Sequence, residues 1–180
     1  MNRFAILALA AMLLPVVATA QQDSAAMANP VSSFVKGQLP RSTRNMVQAA
    51  EMMPAEKYGY MPMAGMMTFG AQILHDVQMN NMLCGMISGQ PAPDSKQFSA
   101  TDPKDKLVAG LKASFDFCAT ALASADDSNL GQSAGKMGPM NLSKGAAYIL
   151  LSSEWSDHYG AEATYLRMNN MLPPSAQPKK

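Results

Sequence analysis

The sequence predicts an all-α protein built as a bundle of four helices, and three observations lead to this prediction. No segment alternates apolar and polar residues over a useful length, so we expect no half-buried β-strands. Apolar residues recur instead at helical spacing in four separate stretches. The 180-residue chain is 48% hydrophobic and 15% charged, which is apolar enough for the core of one folded domain.

The first two predicted helices cover residues 41–53 and 68–87. Pro40 suits a helix start, and one face of the first helix carries Met46, Ala49, Ala50 and Met53. Residues 31–38 are expected to form a preceding turn or a kinked extension. Thr68 is the predicted N-cap of the second helix. Two apolar stripes on that helix predict that it is largely buried; they are Phe69, Ile73, Val77, Cys84 and Ile87, and His75, Met79, Met82 and Met86.

The third and fourth predicted helices cover residues 102–123 and 141–169. Asp102 and Pro103 favour the start of the third helix. Its stripe is Leu107, Leu111, Phe115, Cys118 and Leu122. The fourth stripe is Ala147, Leu151, Glu154, His158, Ala161, Tyr165 and Met168. Residues 88–101 and 126–139 are predicted loops, and these two long connections between four helices favour a bundle.

The first twenty residues are predicted to be a secretory signal peptide. Arg3 precedes an apolar run over residues 4–14, and residues 18–20 read Ala-Thr-Ala, a small-residue cleavage pattern. A membrane anchor would need about 20 apolar residues, and Pro15 with the polar residues after Ala20 shortens this run. We therefore expect a flexible segment over 21–30, a bundle over 31–175 and a tail over 176–180. The expected location is periplasmic or secreted.

Charge and hydropathy exclude several function classes. The formal net charge is +1 and no basic block is present, so we expect no nucleic-acid partner. No second long apolar run follows the leader, so the mature protein is expected not to be embedded in a membrane. Phosphate-binding, dinucleotide-binding and nucleophile-elbow motifs are missing from the sequence.

Two polar residues interrupt the apolar stripe of the fourth helix. Glu154 and His158 are four residues apart, so they project from one helical face toward the bundle interior. With His75 from the second helix they would form a three-ligand site suited to Zn, Fe, Ni or Mn. The alternative is structural, with hydrogen-bonded core histidines and Glu154 paired with a cation or lying at a solvent-filled bundle mouth.

Four segments resemble the DinB-like superfamily of metalloenzymes. They are AAEMMPAEKY at 49–58, TFGAQILH at 68–75, DHYG at 157–160, and YLRMN at 165–169 followed by PPS at 173–175. The resemblance covers roughly residues 31–175, nearly the whole expected mature chain. It implies an up-down-down-up bundle, and in many members three histidines hold a divalent metal.

The resemblance places His75 and His158 on two of the three ligand positions, and Glu154 on the middle one. A carboxylate also ligates divalent metals, and this departure from the family pattern leaves the metal's identity open. A bound metal would activate a water or thiolate near neutral pH, with Tyr165 and Met79 lining the same pocket. The implied function is a metal-dependent hydrolase or thiol transferase acting on an unknown small molecule. The alternative is a non-catalytic binding or structural bundle, and the resemblance also suggests a homodimer.

The cysteines and the methionines leave two further alternatives open. Cys84 and Cys118 lie on apolar stripes and are expected either to form a disulfide in an oxidising compartment or to remain buried thiols. The loop over residues 58–67 holds four of the chain's 17 methionines. Thioether sulfur suits Cu(I), whereas the structural interpretation is that methionine fills irregular gaps.

Overall fold

A computed structural model describes residues 28–178 and confirms the four-helix bundle. The predicted signal peptide, most of the expected segment at 21–30 and the last two residues lie outside the described part. The helices are α1 (Pro30–Met52), α2 (Phe69–Ser88), α3 (Lys104–Ala123) and α4 (Lys144–Met168). Between α3 and α4 lie the strands β1 (Ser133–Met137) and β2 (Met140–Ser143). Short 3-10 turns occupy Ala55–Lys57 and Pro174–Ala176.

Helices α2 and α3 are neighbours that run in the same direction. Asn80 Nδ2 donates a hydrogen bond of 3.0 Å to Ser114 Oγ. Four residues later on each helix, Cys84 is disulfide-bonded to Cys118, with 5.2 Å between their Cα atoms. The connection over 89–103 must therefore return along the whole bundle, which explains its length.

Helices α1 and α4 run opposite to this pair. Lys36 Nζ donates to Ala123 O at 3.2 Å and Lys104 Nζ donates to Glu51 O at 2.6 Å, so α1 and α3 are antiparallel. For α2 and α4 the same conclusion follows from the pairs Phe69 with Tyr165 and Asp76 with His158. The topology is therefore up-down-down-up.

The predicted apolar stripes of α2 and α3 form the centre of the core. Every residue of the two stripes that carry the cysteines is buried; they are Phe69, Ile73, Val77, Cys84, Ile87, Leu107, Leu111, Phe115, Cys118 and Leu122. Gly70 lies where α2 meets the crossover connection, and a Cβ there would come within 2.6 Å of Ala100 O. The methionines divide into buried residues, such as Met46 and Met53, and exposed residues of the loop.

Helix α1 begins eleven residues earlier than the predicted start at residue 41, and Pro40 lies inside it. Pro30, in the expected flexible segment, is its first residue. The early start is explained by an N-terminal cap from a residue far away in the sequence. The Asp127 carboxylate accepts hydrogen bonds of 2.8 Å from the backbone N–H groups of both Val31 and Ser32. A carboxylate at a helix N-terminus also interacts favourably with the helix dipole. Burial of Val35 adds apolar contact to this first part of α1.

The predicted absence of strands was wrong for residues 133–143. Strands β1 and β2 form an antiparallel hairpin within the region expected to be loop and helix start. Its residues are mostly exposed, so they carry no apolar alternation that would have marked them in the sequence. Helix α4 consequently starts at Lys144 rather than at residue 141. Its N-cap is Ser143, whose Oγ accepts a hydrogen bond from Ala146 N at 3.1 Å. Thr68 caps α2 as predicted, accepting from Ala71 N.

In the part of the chain that the structure describes, no helix is both long and apolar enough to span a lipid bilayer.

Candidate metal centre

Three predicted ligand residues, His75, Glu154 and His158, come together between α2 and α4. One ligand atom from each lies within 4.8 Å of the other two. Glu154 Oε2 lies 2.9 Å from His158 Nε2 and 3.9 Å from His75 Nε2. Tetrahedral bonds of about 2.1 Å would place ligand atoms about 3.4 Å apart, so the two measured distances bracket the value a bound metal requires.

The three side chains are buried to different extents. His158 is 12% exposed, Glu154 23% and His75 32%. The most exposed residue of the group is therefore His75, and the most buried is His158. A ligand entering from solvent would meet His75 and Glu154 first.

A second carboxylate, that of Asp76, contacts the inner side of His158. Asp76 Oδ1 lies 2.8 Å from His158 Nδ1, and the Asp76 side chain is fully buried. Gln72 Nε2 donates to the same oxygen at 3.3 Å. The imidazole of His158 thus lies between two carboxylates, with Asp76 at Nδ1 and Glu154 at Nε2.

The surroundings of His158 favour its charged form. Burial lowers the pKa of His158, but the hydrogen bond with Asp76 and the charges of Asp76 and Glu154 outweigh burial and raise it overall. In the neutral ring bonded to Asp76 through Nδ1–H, the lone pair of Nε2 faces Glu154 Oε2. Glu154 Oε2 is buried and accepts no hydrogen bond from any group in residues 28–178. This contact requires a cation, either a proton on Nε2 or a metal ion.

Glu162 adds a buried carboxyl group behind Asp76. It is one turn beyond His158 on α4 and is 0% exposed. Burial, the charge of Asp76 and a hydrogen bond between the two side chains raise the pKa of Glu162 well above its ordinary value. Apart from that contact, Asp76 Oδ2 and both oxygens of Glu162 have no hydrogen-bond partner within residues 28–178. An unpaired buried acceptor costs about 1–3 kcal/mol, so a proton shared by the two carboxyl groups is the arrangement this burial favours.

The predicted pocket residues Tyr165 and Met79 have other contacts in the structure. The Tyr165 hydroxyl donates to Met67 O at 2.6 Å, and its ring packs against Tyr60 and Phe69. Met79 is partly buried against the hydrophobic core. The pocket role of both residues remains a prediction.

The sequence reasoning missed Asp76 and Glu162. Glu162 follows His158 by four residues, and Asp76 follows His75 directly. Both are carboxylates within helices that are otherwise largely apolar. A buried carboxylate needs a partner, so their positions could have marked them as candidates for the site. Trp155 was missed as well; it is buried, and its Nε1 donates to Asn80 Oδ1 at 2.7 Å.

A comparison with protein-family models matches residues 38–160 to the DinB superfamily. The chain belongs to the DinB superfamily. The matched region contains His75, Glu154 and His158, whereas Tyr165 lies beyond it. Membership confirms the resemblance seen in the sequence motifs.

The structure of this DinB-superfamily protein is similar to the crystal structure of a DinB-like protein from Bacillus subtilis. The TM-score is 0.62 at 16% sequence identity, covering 81% of this chain and 99% of the other. At that identity the likeness concerns the fold. No curated protein matches the chain.

Divalent metal fits the donor set of this DinB-superfamily chain. Two imidazole nitrogens and a carboxylate oxygen suit Zn, Ni, Fe or Mn, and three protein ligands leave further coordination positions open. The buried acceptor Glu154 Oε2, facing two imidazole nitrogens, is the observation that supports the fit.

The Met-rich loop shows four exposed side chains, namely Met61, Met63, Met66 and Met67.

Proposed function

We propose that this DinB-superfamily protein binds a divalent metal ion through His75, Glu154 and His158. We further propose that it is an enzyme of the hydrolase or thiol-transferase type, acting on a small molecule. The observation that carries the proposal is the convergence of three donor atoms within 4.8 Å around a buried carboxylate oxygen that lacks a hydrogen bond.

Each ligand residue has a distinct task in this proposal. His158 would donate Nε2, the ring nitrogen that faces Glu154. Glu154 would neutralise one charge of the cation, and His75 would complete the set at the more exposed side. When bound, the metal would supply Lewis acidity and lower the pKa of a water or thiol at its open positions. Partial exposure of His75 leaves room for a small substrate to approach.

Metal content tests the proposal directly. The protein comprising residues 21–180 would be stripped with a chelator and dialysed against Zn, Mn, Ni or Fe(II), and bound metal would be counted by elemental analysis. We expect one ion per chain of the preferred metal, and less than a tenth of that for His75→Ala combined with His158→Ala. Asp157→Asn is the matched control, since Asp157 is exposed and adjacent to His158 without belonging to the ligand group. Equal metal content in the double variant and the wild type would refute the ligand assignment.

A second candidate is a non-catalytic bundle in which a proton takes the place of the metal. The specific observation is that His158 contacts carboxylates at both ring nitrogens, at 2.8 and 2.9 Å, as an imidazolium would. A metal-free wild-type protein after the dialysis above would favour this candidate. Hydrolytic activity that depends on added metal and is lost in His158→Ala would exclude it.

We also propose that the protein is exported and cleaved after Ala20. The signal-like sequence supports export, and the disulfide between Cys84 and Cys118 is in keeping with an oxidising compartment. Expression of the full chain in a Gram-negative host, followed by N-terminal sequencing of the periplasmic fraction, should yield Gln21 as the first residue. Recovery of uncleaved chain in the cytoplasm alone would contradict export.

A further inference from the structure

Asp76 is a buried carboxylate on α2 beside the metal-ligand group. It contacts His158 at Nδ1, the ring nitrogen opposite the one that faces Glu154. The order through space is therefore Glu154, His158 and Asp76.

We propose that Asp76 is a positioning residue that fixes His158 with Nε2 toward the metal. This inference rests on the proposed function, since it assigns an orienting role toward the same metal ion.

The tautomer of His158 supports the positioning role of Asp76. A neutral imidazole has one N–H and one lone pair, and a metal binds only the nitrogen with the lone pair. Asp76 Oδ1 at 2.8 Å accepts the N–H at Nδ1, which leaves Nε2 as the ligand atom facing Glu154. Metal-bound histidines commonly donate their second ring N–H to a carboxylate, and this contact raises their basicity as ligands.

Gln72 supports the position of the Asp76 carboxylate. Its Nε2 donates to Asp76 Oδ1 at 3.3 Å, one turn earlier on the same helix. The oxygen that faces His158 is therefore held by a second contact as well.

Zinc affinity measured by competition with a chromophoric chelator tests the inference. We expect Asp76→Ala to weaken zinc binding about 10- to 100-fold, the usual effect of losing such a partner. Asp76→Asn should lose less, because the Asn oxygen can still accept from His158.

Two further measurements separate positioning from general destabilisation. Asn81→Ala is the matched control, since Asn81 is buried on α2 and donates to Ser95 Oγ at 2.9 Å, away from the ligands. It should lower the free energy of unfolding and leave zinc affinity unchanged. Long-range ¹H–¹⁵N spectra should show a single His158 tautomer in the wild type and a mixture in Asp76→Ala, or in Asp76→Asn if the alanine variant does not fold.

The outcomes for the two proposals differ. If the wild type binds zinc and the variants at Asp76 bind it equally well, the positioning role is wrong while the metal site stands. If the wild type binds no zinc, or His75→Ala binds it unchanged, the proposed ligand set fails and the positioning role fails with it.

Discussion

The two faces of α2 are built from different chemistry, although they belong to the same twenty-residue helix. Toward α3, the contacts are apolar stripes closed by the disulfide between Cys84 and Cys118. Toward α4, the same helix presents His75 and Asp76 to the ionisable residues of its partner. Buried charged groups stabilise a fold poorly, whereas apolar packing and a covalent link stabilise it well.

This contrast indicates that the two interfaces have different roles. The α2–α3 interface contributes stability, so that the α2–α4 interface can hold ionisable groups close together at a cost in free energy. Asn80 belongs to both interfaces, because it donates to Ser114 on α3 and accepts from Trp155 on α4. Each of the following changes tests this comparison.

The largest effect is expected from removing the disulfide. The bond links residues 34 positions apart, and a loop of that length implies a loss of about 3–4 kcal/mol in the free energy of unfolding when both cysteines become alanine. Urea denaturation of the double variant checks the loss. Zinc affinity should remain that of the wild type, and a tenfold decrease would show that the two interfaces are not independent.

The next effect concerns Trp155, which connects the two interfaces. Trp155→Phe removes the indole N–H and leaves Asn80 Oδ1 buried without its donor. We expect a loss of about 2–3 kcal/mol in the free energy of unfolding. Tyr159→Phe is the control, because the Tyr159 hydroxyl accepts from Ser175 N at an exposed position and its loss should matter little. Equal effects of the two substitutions would contradict the assignment.

A smaller and pH-dependent effect is expected from Glu162→Gln. Since folding raises the pKa of Glu162 above 4.5, its protonated form stabilises the fold fully below about pH 4.5. This contribution is lost as pH rises toward the folded-state pKa. The wild type should therefore lose stability relative to Glu162→Gln by up to about 1.4 kcal/mol per pH unit above pH 4.5. Urea titrations from pH 4 to pH 7 measure the difference, and a constant difference would show that Glu162 is ionised in the folded protein.

The smallest effect concerns His158 in the metal-free protein. Its pKa is raised, so the charged ring stabilises the fold fully below about pH 6.5 and this stabilisation is lost as pH rises through the folded-state value. NMR titration of the ring should give a pKa above 6.5 in the wild type and a lower pKa in Glu154→Gln. A wild-type value below 6.5 would mean that burial outweighs the two carboxylates.

Much of the fold could be predicted because its determinants are local. Helical spacing, the Thr68 cap and the positions of Pro103 and Pro173 lie close to the elements that they delimit. The ligand group could be predicted for a similar reason, since Glu154 and His158 are four residues apart on one helix. His75 was their predicted partner because it lies on an apolar stripe of the second helix, and the family motifs then placed His75 and His158 on ligand positions.

The remaining features depend on contacts between distant parts of the chain. The start of α1 depends on a carboxylate 96 positions away from Val31, and Pro40 is a misleading local signal for it. The role of Asp76 depends on which face of α2 meets α4, and periodicity alone does not reveal that. The hairpin is exposed, so burial leaves no pattern in its sequence.

The contact between Asp127 and the first turn of α1 has a consequence for the order of folding. A ribosome or a translocation channel releases the N-terminal end of α1 long before it releases residue 127, so this end lacks its cap during that interval. The segment around Pro30 should then be among the last parts of the protein to gain protection from hydrogen exchange. Closure of the bundle is thus coupled to arrival of the α3–β1 connection, and a chain truncated before that point would retain a frayed first helix.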